Sequence, residues 1–282
     1  MKKLLIALVL FLPALSCTKK PVVPDDPVNV DDGRTEIFAT VADCSGQAFV
    51  WSSSTKIGIY DTEGHSNQRY TLKNEFIGKT GEASLYGSTI GGAAVAYLPY
   101  SEKGYPCVAE HRQPVLSEQV AGASAAEHLI LNTVLVAQGD DDGRFSFSYT
   151  GGNTGLIHLT VRASLESLVE KVILHCPDAP LAGNVSLFAD ADPLVSNGSQ
   201  YLTLTGIGRA CTEDTPLEVW AQVPSGRFTH LTATLVSGGR MFSAPVGETV
   251  TVAPGSSTDA VAEAVPNSSG NEDFTIIEGS YQ

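Results

Sequence analysis

The sequence predicts an all-β protein built from two sandwich domains, and three observations carry that reading. Short runs rich in Val, Ile, Thr, Phe and Tyr recur along the chain, separated by Gly, Ser, Asp and Pro. Some alternate cleanly: in RFSFSY at 144–149, Phe145 and Phe147 fall on one face and Ser146 and Ser148 on the other. Almost nothing carries a sustained helical period, and the strands are too many for one sandwich of typical size.

The chain opens with MKKLLIALVLFLPALSC: Lys2 and Lys3, an apolar run from Leu4 to Leu12, then Pro13 and a small-residue approach to Cys17. This is the layout of an export signal, and the run is far short of the ~20 residues a helix needs to cross a bilayer. Residues 1–16 are therefore expected to be removed. The stretch TKKPVVPDDPVNVDDGR that follows Cys17 is rich in Pro and Asp and has no periodic apolar face. It cannot bury enough to offset its ordering entropy, so residues 17–33 read as a flexible tether.

Strands are expected at 35–41, 48–51, 56–60, 68–72, 83–86, 93–98, 129–137 and 144–149, forming a first sandwich over 34–150. The segment SEQVAGASAAEH, 117–128, is the one place for a short helix, weakened by its glycine. TGGNTG at 150–155 marks the internal break. A second sandwich over 151–266 takes strands at 156–163, 168–175, 185–188, 201–207, 217–223, 231–236, 241–244 and 248–252. Residues 267–282 form a tail with an apolar strand candidate, Phe274–Ile277, either a last edge strand or one held out for another molecule.

Composition narrows the function. The formal charge is −14, from 17 Lys+Arg against 31 Asp+Glu, and four of the lysines (Lys2, Lys3, Lys19, Lys20) lie in the signal and tether. Such a body repels phosphate backbones, so nucleic acid is not an expected partner. No nucleophile elbow, His-Glu-x-x-His, phosphate-cradling loop or paired Cys-x-x-Cys is present, and the six histidines are scattered. His158 and His175 lie in strand-like runs and read as structural. GDDDGR at 139–144 and the pair Asp190 and Asp192 lack the ligand spacing of a calcium loop and read as turns. No enzyme, cofactor or metal is expected. Trp51 and Trp220 each end an apolar run and read as core. Apart from Cys17, four cysteines remain: either two bridges form, with Cys44–Cys107 and Cys176–Cys211 the favoured pairing, or all four stay reduced and buried.

Two resemblances add to this. Ala14-Leu15-Ser16-Cys17 resembles the lipobox of bacterial lipoproteins, with Ala where Leu is usual, and implies a diacylglycerol on Cys17 and retention on the outer membrane. Residues 49–100 resemble the N-terminal half of the fimbrillin-like (Mfa-like) lipoproteins of Bacteroidales. The elements are Trp51, then Ile57-Gly58-Ile59-Tyr60, Asn67 with Tyr70, and Ala96-Tyr97-Leu98-Pro99-Tyr100. A weaker likeness continues past residue 150, in IHLTVRA at 157–163.

The second resemblance implies two tandem transthyretin-like sandwiches and a place in surface fimbriae, among other fimbrial subunits and facing a host or bacterial surface ligand. It also implies assembly by strand exchange, in which an edge strand is cut away and an extended segment of the next subunit fills the groove. On this chain that strand is Thr35–Val41, with Thr35, Ile37, Phe38, Ala39 and Val41 exchanged or retained, and Phe274, Ile276 and Ile277 are the candidate donors. Stalk subunits of the family carry an Arg after this strand as the cut site; here Gln47 stands there, and Arg34 precedes the strand. The strand is thus expected to stay, as in an anchor or terminal subunit. The alternative is a lipid-anchored glycan-binding module, which requires Trp51, Tyr60, Tyr70 or Trp220 to be exposed.

Overall fold

A computed structural model describes residues 34–266, apart from positions 89, 93, 150, 151, 193, 248 and 264. Cys17, the tether and Phe274–Ile277 lie outside the described residues. In chain order the first half runs β1 (Thr35–Val41), β2 (Lys56–Asp61), β3 (Gln68–Leu72), β4 (Ala83–Gly87), β5 (Ala94–Leu98), helix α1 (Pro106–Ala109), β6 (Arg112–Val115), β7 (Glu118–Val120), helix α2 (Ala125–Asn132), β8 (Leu135–Gln138) and β9 (Arg144–Phe147). Seven of these strands make one sheet in the order β8-β5-β2-β3-β4-β1-β9. Its ends meet, because a turn at 139–143 joins β8 to β9 and Gly139 bridges Phe145. The sheet therefore curls around its own core, into which Ile37, Ile57, Ile59, Leu85, Phe145 and Phe147 point, with Trp51 beside them.

The Gly58 and Tyr97 positions of the family-like stretch explain each other. They face across β2 and β5, and the Tyr97 ring lies over the glycine so closely that a Cβ on Gly58 would sit 2.1 Å from Cε1 of that ring. The buried Tyr97 hydroxyl lies between the Asn67 Oδ1 and the Ser101 carbonyl. The Asn67 amide in turn donates to the carbonyls of Ser101 at 3.0 Å and Glu102 at 3.1 Å. Tyr60, Tyr100 and Tyr105 pack around the Tyr97 ring, forming a small second core on the outside of the sheet. Gly58→Ala is expected to overpack this core and cost about 1–3 kcal/mol, read as a lowered urea midpoint with unchanged slope.

The second half contains β10 (Thr154–Arg162), β11 (Val169–His175), β12 (Ala182–Ser186), β13 (Val195–Ser199), β14 (Tyr201–Thr205), β15 (Leu217–Pro224), β16 (Gly226–Thr229), β17 (Thr232–Ser237), β18 (Arg240–Pro245), β19 (Thr249–Val252), β20 (Ser257–Glu263) and β21 (Val265–Pro266). A three-stranded sheet, β15-β10-β20, packs on a six-stranded one, β21-β18-β17-β11-β14-β7, through a continuous aliphatic core. A further sheet, β13-β12-β6, sits beside them, and β16 pairs with β19.

Two of these sheets end in strands from the first half. β6 runs antiparallel to β12 and β7 runs parallel to β14. Residues 112–120, which the expected division places in the first sandwich, thus complete sheets of the second.

Several local expectations are corrected. The helix lies at 125–132 and not at 117–128, because Ser124 and Glu127 form a capping box: the Ser124 hydroxyl accepts from the Glu127 N–H at 3.2 Å, and the Glu127 carboxylate accepts from the Ala123 N–H at 2.7 Å. The expected strand at 129–137 therefore splits into the end of α2 and β8. Residues 48–51 make no strand, since Trp51 is held by single bonds to the 78–81 loop, including its indole N–H to the Gly81 carbonyl at 2.8 Å. The pairings Cys44–Cys107 and Cys176–Cys211 are not formed: all four thiols are free. Three of them face carbonyls instead, Cys44 that of Ala126, Cys176 that of Thr229 and Cys211 that of Val161.

Candidate functional site

β1 is an interior strand and not the edge strand that the resemblance implies. It pairs antiparallel with β4, Ile37 opposite Leu85 and Ala39 opposite Ala83, and parallel with β9, Ala39 opposite Phe145 and Val41 opposite Phe147. Strand period two sends Ile37, Ala39 and Val41 into the core, where all three are buried. Without β1, the inner face of the gap between β4 and β9 would be walled by Ala83, Leu85, Phe145 and Phe147, all buried in the intact fold. Both sides of the gap would carry unpaired backbone groups.

The outer face of β1 is held by polar contacts. The Glu36 carboxylate accepts from Lys73 Nζ at 2.6 Å and from the Ser84 hydroxyl. Lys73 also lies over the Tyr86 ring. The Phe38 ring lies under the guanidinium of Arg144, which pairs with Glu82. Thr40 donates to Ser146 across the parallel pair at 3.3 Å. The hydrogen bonds from Lys73 and then Ser84 outweigh burial and hold the Glu36 carboxyl below the usual glutamate range. Because the folded pKa is depressed, this contribution to stability is complete above the unfolded value near 4.5 and is lost as pH falls through the folded one. Glu36→Gln should therefore flatten the loss of thermal stability as pH falls below 4.5, read by paired melts.

Beyond β1 the chain makes an exposed turn. Ser45 and Gly46 take positive φ (50° and 82°), and Cys44 bridges Gln47 on either side of them. Residues 45–48 are exposed, whereas Cys44 is buried with its thiol toward α2. Gln47 is thus accessible but is no substrate for an arginine-specific protease. Arg34 is exposed before the strand, and Lys56 is paired within β2.

The other nominated residues fall elsewhere. Trp51, Tyr60 and Tyr70 are buried, and the half-buried Trp220 has one face stacked on His158 at 4.6 Å. These four rings offer no open platform for a sugar, so the requirement set for the glycan-binding alternative is not met. Asp140 accepts from the Asp142 and Arg144 amides, as a turn residue does. His158 meets Asp259 at 2.9 Å and His175 stacks on Tyr201. A residue that sequence reasoning passed over, His128, is completely buried at the junction between the two halves. Its signal was its place in the capped segment that follows Ser124.

No family model matches the chain, and no curated protein matches it. Among solved structures it is similar to a candidate cell adhesion protein of Bacteroides ovatus, with 12% identity over 82% of this chain and 95% of that one and a TM-score of 0.46. It is also similar to a candidate cell adhesion protein of Bacteroides thetaiotaomicron (12% identity, 80% and 91% covered, TM-score 0.34). A third is the tip fimbrial protein Mfa3 of Porphyromonas gingivalis in a C-terminally truncated form (9% identity, 75% and 82% covered, TM-score 0.31).

Proposed function

We propose that this chain is a non-enzymatic, surface-exposed outer-membrane lipoprotein that serves as a fimbrial component or adhesin, in an anchoring or terminal position. Cys17 carries the lipid, the tether lifts the folded part from the membrane, and the partners are other fimbrial subunits and a surface ligand. The observation that carries this reading is the setting of β1. The strand is paired on both sides, buries Ile37, Ala39 and Val41, and leads into an exposed turn in which Gln47 gives an arginine-specific protease nothing to cut.

A strand held this way leaves the slot filled by the chain itself. The subunit then takes no donor there, and it stays joined to Cys17 as long as the exposed Arg34 ahead of the strand is left uncut. Exchange with a neighbour falls to the tail, with Phe274, Ile276 and Ile277 as the donated side chains. Crosslinking tests that assignment: a photoreactive group at position 276 should capture another fimbrial subunit in cells assembling fimbriae. Capture of nothing, or only of this same chain intramolecularly, would remove the donor role.

A further inference from the structure

We propose that residues 112–132 are a latch between the two halves, and that protonation of His128 loosens it. The segment leaves the first half after the Tyr97 core, lends β6 to β12 and β7 to β14, and returns through α2. Its hold on the second half includes a side chain acting as a strand. The Gln119 amide donates to the Gln222 carbonyl at 2.8 Å, and its Oε1 accepts from the Gln222 N–H at 3.0 Å, so one glutamine pairs with the backbone at the edge of β15. Asn132 does the same to Val120, accepting from its N–H at 2.7 Å and donating to its carbonyl at 2.9 Å.

His128 joins these two amides. Its Nε2 lies 2.9 Å from Gln119 Oε1, which can only accept, and its Nδ1 lies 3.2 Å from Asn132 Nδ2, which can only donate. The pattern fixes the neutral ring with its proton on Nε2. A second proton on Nδ1 would face a donor, inside a site where the ring is fully buried. Burial lowers the pKa of His128 to about 4, outweighing a hydrogen bond with the Val120 backbone that favours the charged ring.

The ionisable side chains on the elements packed here are Glu127 on α2, Glu118 on β7 and Glu218 on β15, all exposed. None of them contacts the ring to compensate its charge. The junction also holds buried polar atoms without a partner among the described residues. The buried Gln222 amide has no partner for either atom among the described residues, and Gln113 has none for its Nε2.

The open latch binds a proton with the ordinary histidine pKa of 6.5, and the closed latch only near 4. Opening should therefore become about tenfold more favourable per pH unit fallen within that window, and level off below it. Hydrogen exchange of the full chain between pH 7 and pH 3.5, corrected for intrinsic rates, tests this. Amides of 112–132 should lose protection by a total of a few hundredfold over the window, while those of β2 and β11 hold theirs. His128→Gln should make the profile of the latch flat. Equal loss in both proteins, or loss that spreads evenly over the chain, would overturn the proposal. If the variant does not fold, the NMR titration of His128 in the wild-type chain decides. A midpoint above 6 with protection intact refutes the latch, and a midpoint that tracks the loss of protection supports it.

Discussion

Cutting the chain between Ser45 and Gly46, at a site inserted for a sequence-specific protease, and removing the fragment that carries β1 will lower the stability of the first half by about 5 kcal/mol or more. The turn is exposed and tolerates a linker, so the uncut protein should melt as the parent does. The loss after removal comes mainly from three inward side chains. Burying Ile37 and Val41 contributes about 1.5–3 kcal/mol each and Ala39 somewhat less, and the backbone groups of β4 and β9 lose their partners. Against a typical domain stability of about 5–15 kcal/mol this decides whether the half stays folded. A synthetic peptide of residues 34–44 should restore the melt. A fragment-free protein that still melts like the uncut one would mean that β1 is dispensable.

Truncating the opposite wall of the slot should be nearly as costly. Phe147 is 1% exposed, faces Val41 across the parallel pair, and its carbonyl accepts from the Ala42 N–H at 2.9 Å. Phe147→Ala leaves a cavity under β1 and is expected to cost about 3–5 kcal/mol in chemical denaturation. Phe38→Ala, on the outer face of the same strand, removes a partly buried ring and its contact with Arg144, and should cost about 1 kcal/mol. Similar losses for the two variants would contradict the assignment of inner and outer faces on which the slot depends.

Much of this arrangement can be read from the residues. β1 to β5 and β9 alternate or run apolar between turn residues, and their bounds fall within a residue or two of those expected. The latch could not be read so. β6 and β7 are four and three residues long, and their partners lie far along the chain in β12 and β14, where no local period reports them. β20 was hidden for another reason, since its buried positions are Ala260 and Ala262, too small to stand out as an apolar face.

Ser124 and Glu127 carry a helix-start signal that the expected helix at 117–128 does not use. The glycine at 122 weighed against it, although Gly122 precedes the helix and serves the close approach of the His128 backbone. The family-like tyrosines Tyr60, Tyr97 and Tyr100 pack together on the outside of the sheet. Gly58 and Tyr97 are a mutual fit, with burial pushing the Tyr97 phenol up to about 12. The proposed exchange strand was visible as a strand followed by no arginine, but its interior position required the pairing with both β4 and β9.

The retained strand is best tested by intact mass and N-terminal analysis of the mature protein isolated from its native membrane, with lipid labelling at Cys17. If β1 is retained, the chain begins at acylated Cys17 and still contains Thr35–Val41. A chain that begins unlipidated between residues 42 and 56 would contradict that retention, because the slot would then have been opened for a neighbour's strand.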